Sequence, residues 1–145
     1  MRRAAMTAST VAWLATVACA AQARSPEPVP LDRVQCARCG MVISTEQGAA
    51  EIVQPGEDTR FYDDLGCLIA DRDAHRDAAV AFVRIADGTW IEARTASFAR
   101  PATGRTAMGS GIVAFATIAQ ARTADRAGRA WSWDEIRREP AGDGR

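Results

Sequence analysis

The sequence predicts a small α+β protein made of two similar ββαβ units behind an N-terminal signal peptide. Two observations support that class. Short runs rich in Val, Ile, Phe and Trp are set apart by turn residues, with only two stretches of helical character between them. The order strand, strand, helix, strand then occurs twice along the chain, which is how an internal structural repeat shows itself.

The first unit is expected over 34–89. It opens with strands over 49–54 and 60–63, joined by a turn at Pro55-Gly56-Glu57-Asp58, whose residues favour chain reversal. A helix over 65–75 follows with Asp64 as its N-cap, because an Asp side chain at that place accepts from first-turn N–H groups that lack a helical partner. The run AVAFVRIA at 79–86 is a strand ending at Asp87-Gly88. The second unit, over 90–139, repeats the order: extended sequence over 90–100, a short apolar strand over 111–115, a helix over 117–127, and a strand over 130–133 closed by Asp134. Residues 134–138 add a last helical turn, and 140–145 is expected to be a disordered tail. Trp90, Trp131 and Trp133 fall in strand-like sequence and are expected in the core.

Ahead of the units, Arg2 and Arg3 form a basic start and residues 11–18 (VAWLATVA) a short apolar stretch. Ala21-Gln22-Ala23 then offers a small-x-small cleavage site, so 1–23 reads as a secretory signal peptide. The apolar stretch is too short to span a bilayer. Cys19, after Thr16-Val17-Ala18, offers an alternative as a lipid-bearing cysteine, although a branched aliphatic is expected where Thr16 stands. The mature protein is therefore expected in the periplasm, soluble or attached to a membrane by a lipid anchor at Cys19. Residues 24–33, with Pro26, Pro28 and Pro30, read as a Pro-rich linker, a stiff tether in which proline fixes backbone angles and removes amide donors.

The 145 residues carry 18 basic and 18 acidic side chains, so formal charge balances, and hydrophobic content of 48% is that of a globular chain. The basic residues, all arginine, are dispersed, which leaves no electrostatic footprint for nucleic acid. No Ser-His-Asp arrangement, phosphate-cradling glycine loop or pair of catalytic carboxylates stands out, so an enzyme is not expected.

Chemistry concentrates on sulfur. Removal of 1–23 leaves Cys36, Cys39 and Cys67, an odd number that cannot all pair within one molecule, so at least one thiol is free or ligated. It also leaves only Met41 and Met108, each beside a glycine rather than inside an apolar run where methionine fills gaps. Cys36-Ala37-Arg38-Cys39-Gly40-Met41 sets thiol and thioether within a short span of backbone, and soft sulfur of both kinds selects copper(I) over harder ions. Thioethers need no deprotonation, so they keep binding soft metal where thiolates become protonated.

These residues resemble the NosL family, exported accessory proteins of nitrous oxide reductase that act as copper chaperones. The resemblance runs through Cys36-Ala37-Arg38-Cys39-Gly40-Met41, Phe61-Tyr62-Asp63-Asp64-Leu65-Gly66-Cys67, Trp90-Ile91-Glu92-Ala93 and the stretch from Thr106-Ala107-Met108-Gly109-Ser110-Gly111 to Phe115, in the family's order. It implies two ββαβ units and a Cu(I) site built on Cys39 and Met41, with Met108 closing it. It further implies a partner: nitrous oxide reductase, its membrane ABC-type copper maturation complex, or both. The chain departs from the family where Ala107 replaces the usual Pro before the second methionine and Leu68 a common Met after the cysteine of the aspartate motif. The first departure is expected to loosen the Met108 loop; the second removes a further thioether.

On this reading Cys39, Met41 and Met108 are the primary ligands, and Cys36 and Cys67 are auxiliary or transfer ligands. Other readings of the same residues stay open. Cys36, Cys39, Cys67 and His75 would make a Cys₃His zinc site. Cys36 and Cys39 would make a structural disulfide, or the redox couple of an exported thiol-disulfide oxidoreductase, although the β-prone residues after Cys39 do not open a helix as a thioredoxin-type motif requires. Asp64 is expected to cap, while Asp63 is expected to face the site, holding a second, harder cation or orienting a ligand.

Overall fold

The strand residues sort into two antiparallel sheets, and the computed structural model describes them within residues 24–71 and 79–139. Strands β1 (Ala50–Val53), β2 (Arg60–Tyr62), β3 (Val80–Arg84) and β4 (Trp90–Glu92) form one sheet in the order β2-β1-β3-β4. Strands β5 (Ser97–Ala99) and β6 (Val113–Phe115) form the other. Helix α1 (Leu65–Ala70) lies between β2 and β3, α2 (Ile118–Ala124) follows β6, and α3 (Trp133–Ile136) comes last. The protein is thus α+β, and the repeat is visible in the pairing. β1 sits between β2 and β3, and β5 likewise sits between β6 and an antiparallel bridge from Phe98 to Trp131. A parallel bridge from Ile85 to Ala114, with the Ala86 amide on the Ala114 carbonyl at 3.0 Å, joins the sheets.

One core serves both. Side chains alternate across a strand, so Ala50 and Ile52 of β1 share a face, and both are buried with Tyr62, Val83, Leu65 and Leu68. Phe98, Ile112, Ala114, Trp133 and Ile136 extend the same cluster into the second unit, where the Phe98 and Trp133 rings stand 5.8 Å apart in a tilted arrangement. The other face of β1 is closed as well: Glu51 is fully buried and accepts the Glu27 amide on Oε1 at 2.9 Å.

Several expectations need correction. The Pro-rich segment expected to act as a tether packs against the first unit from Glu27 on. Glu27 also accepts from the Thr59 hydroxyl (2.7 Å), Val29 is buried, and the Asp32 amide bonds the Ile43 carbonyl (2.8 Å). The extended sequence at 90–100 is two strands, since a turn at 93–96 sends β4 to the first sheet and β5 to the second. Helix α1 stops at Ala70, where Asp71 turns extended and accepts the Tyr62 hydroxyl at 2.6 Å, so its side chain is held by β2. The strand expected over 130–133 contracts to Trp131, and Trp133 starts α3, because Ser132 and Glu135 form a reciprocal capping box. Trp90 and Trp131 lie partly exposed under arginines: Arg84 over Trp90, Arg100 and Arg129 over Trp131. The leader with Cys19, His75 and the tail 140–145 lie outside the described residues. Among those residues no helix is long and apolar enough to cross a membrane.

Candidate metal centre

The segment containing Cys36 and Cys39 folds into a tight hairpin because its backbone groups satisfy one another. The Cys36 amide bonds the Met41 carbonyl (2.8 Å), the Gly40 amide bonds the Cys36 carbonyl (2.9 Å), and Gln35 bridges Val42. Gly40 takes a φ of 75°, a left-handed conformation that glycine adopts without steric cost. The Ala37 amide then bonds the Phe61 carbonyl (2.8 Å), which pins the hairpin to β2 just before Asp63. Cys67 arrives from the other side in the first turn of α1.

Three stretches therefore meet at one point. The Sγ atoms of Cys36, Cys39 and Cys67 and a carboxylate oxygen of Asp63 all lie within 4.8 Å of one another. None of the three cysteines is in a disulfide. Cys36, Cys67 and Asp63 are buried, and Cys39 is half-buried, so the cluster opens toward solvent on the Cys39 side. Burial pushes the Cys36 thiol above its ordinary range. It does so more strongly for Cys67, where a nearby thiolate at Cys36 or Cys39 adds repulsion. Buried thiols that resist ionisation are poor nucleophiles, whereas a cation placed among them would favour the thiolate form.

The methionines stand differently. Met41 follows Cys39 by one glycine on the same hairpin and is 51% exposed; Met108 is 45% exposed. Neither fills the core, in keeping with their glycine neighbours in the sequence. The Met108 loop is tied to the cluster's flank through its backbone. Asp64, the N-cap of α1, accepts the Gly66 amide on Oδ1 (2.6 Å) and both the Met108 amide (2.8 Å) and the Thr106 hydroxyl (2.7 Å) on Oδ2. Burial on its own would raise the Asp64 carboxyl, but donors from Ser110, Thr106, Gly66 and Met108 hold it below the usual carboxylate range.

The structure thus gathers Cys36, Cys39 and Cys67, brings Asp63 in beside them, and leaves Met41 and Met108 at the surface. Asp63 faces the thiols, 3.7 Å from Cys39 Sγ through Oδ1. Asp64 caps as its position before the helix suggests. Sequence reading missed Thr106 and Ser110, which close the Met108 loop: the Gly111 amide bonds Thr106 Oγ1 (3.1 Å) and the Ile112 amide bonds Ser110 Oγ (3.2 Å). In the sequence they stand only within the family stretch, as a pair of hydroxyls bracketing Ala107-Met108-Gly109.

Three sulfurs and one carboxylate form a donor set that suits a soft or borderline cation; hard cations prefer oxygen throughout. A protein-family model described as NosL matches residues 28–141. No curated protein and no solved structure matches the chain. The family match covers both units and every cysteine of the cluster, and the chain belongs to the NosL family, whose role is accessory and copper-related.

Proposed function

We propose that this protein is an exported copper(I) metallochaperone that delivers copper for maturation of the copper-sulfide centre of nitrous oxide reductase. In this reading it hands the ion to the reductase itself, to a membrane ABC-type maturation complex, or to both, from a periplasmic position reached through the leader. The observation that carries it is the meeting of three thiols outside any disulfide at the foot of a hairpin whose next sulfur, Met41, is exposed. Copper(I) accepts few ligands, so an ion held by Cys39, Met41 and Met108 keeps an open edge. A ligand from the acceptor attacks there before the donor's sulfurs leave. The buried Cys36 and Cys67 stand beside Cys39 as auxiliary ligands. The transfer is ligand exchange, without turnover chemistry.

The test is metal uptake by the reduced protein. It takes up about one copper(I) per chain with sulfur neighbours in its X-ray absorption spectrum, and Met41→Leu weakens binding sharply. Nitrogen and oxygen neighbours, or Met41→Leu and Met108→Leu variants that bind like the parent, would overturn the assignment. A second reading is favoured by Asp63: with Cys36, Cys39 and Cys67 it supplies the four donors of a tetrahedral zinc site. Zinc that outcompetes copper(I), and whose chelation unfolds the protein, would favour that reading.

A further inference from the structure

Both carboxylate oxygens of Asp64 are committed, and to opposite halves of the chain. Oδ1 holds the Gly66 amide in the first turn of the helix that carries Cys67. Oδ2 holds the amide of Met108 and the hydroxyl of Thr106, 44 and 42 residues away in sequence. Asp64 is fully buried, so water does not compete for these bonds. Thr106 Oγ1 also accepts the Gly111 amide and lies 3.3 Å from Ser110 Oγ, which ties 106–111 into one piece. A side chain at position 66 would bring its Cβ to 2.5 Å from Ser110 Cβ, so glycine there lets the loop rest directly on the helix.

We infer that Asp64 is a positioning residue for copper(I): one carboxylate sets the span between a thiol donor on α1 and the Met108 thioether on the loop of the second unit. The inference rests on the ligand set proposed above. Its physical content is that Met108 is half-exposed and has little packing of its own to place it, so the main-chain bond to Asp64 does so. Groups that orient metal ligands in this way typically contribute about 10- to 100-fold to affinity.

Asp64→Asn separates the two tasks of the residue. The amide oxygen still caps Gly66, while the new NH₂ stands where Oδ2 accepted. The Thr106 hydroxyl can turn to accept from it; the Met108 N–H cannot. Copper(I) affinity of the reduced protein is measured by chelator competition, and the methyl resonances of Met41 and Met108 are followed by NMR as copper(I) is added. Asp64→Asn is expected to bind about 10- to 100-fold more weakly, to keep the Met41 shift, to lose the Met108 shift, and to cost nothing more when added to Met108→Leu. Parent-like affinity with an intact Met108 shift, or full additivity with Met108→Leu, would overturn the inference. Parent-like binding by Met108→Leu alone overturns the ligand assignment itself, which tells the two failures apart. If Asp64→Asn does not fold, Thr106→Val removes one donor to Oδ2 and is held to the same non-additivity.

Discussion

The Cys39 thiol lies over the carboxylate of Asp63, 3.7 Å from Oδ1 and 3.8 Å from Oδ2, across 24 residues of sequence. A carboxylate in a sulfur cluster distinguishes cations. It is a good ligand for zinc and a poor one for copper(I), which prefers sulfur. Asp63→Ala is therefore expected to leave copper(I) stoichiometry unchanged while lowering zinc affinity by about tenfold or more. Parallel titrations with each ion check this, and equal losses for both would show that Asp63 serves the fold rather than a choice of metal.

The same cluster predicts an order of thiol reactivity. Cys36 and Cys67 are buried and held protonated, Cys67 the more strongly, while Cys39 is half-buried. Because the thiolate is the reacting form, brief treatment of the reduced native protein with iodoacetamide is expected to label Cys39 first and Cys67 last. Peptide mass spectrometry reads the order. Prior loading with copper(I) is expected to protect Cys39.

Glu51 makes stability depend on pH. Burial, opposed by the Glu27 amide and aided by the Glu27 charge, pushes its carboxyl up from 4.5 to about 7, and its buried Oε2 has no hydrogen-bond partner among the described residues. The folded state then binds a proton that the unfolded chain has already lost. The contribution of Glu51 to stability is full below the unfolded value and is lost as pH rises toward about 7, each tenfold change in proton affinity being about 1.4 kcal/mol. Glu51→Gln keeps an acceptor for Glu27 and removes the charge. Denaturant midpoints measured from about pH 5 to about pH 8 are expected to decline in the parent and to stay flatter in Glu51→Gln.

Contact between helix and loop at position 66 is close enough to test by size alone. Gly66→Ala forces its methyl against Ser110 and is expected to lower stability by about 1–3 kcal/mol, the usual cost of overpacking. Ser110→Gly in the same chain removes the opposing Cβ and is expected to recover part of the loss, as a double-mutant cycle in denaturant would read.

Local signals proved legible where a residue acts on its own neighbours. Asp64 before a helical run is an N-cap in sequence and in space, the turn at 55–58 joins β1 to β2, and methionines beside glycines lie outside the core. Tertiary partners were harder to see. Nothing in Trp90-Ile91-Glu92 says that these residues pair with β3 rather than open a new sheet, because both choices suit the same alternation. Ser132 and Glu135 carried a capping-box signal, and the strand-like tryptophans on either side concealed it. The packing of the Pro-rich segment follows from Glu51, a buried acid in mid-strand that needs a donor, and a lone charged residue in an apolar strand does not say which amide will supply it.

The Cys36–Met41 hairpin owes its shape to its own main-chain bonds and to one bond with β2. These bonds need no ion to close them, so taking one up or giving it up would require no refolding of the loop. In the chaperone reading proposed above, release would then be set by how quickly a recipient's sulfur reaches the rim.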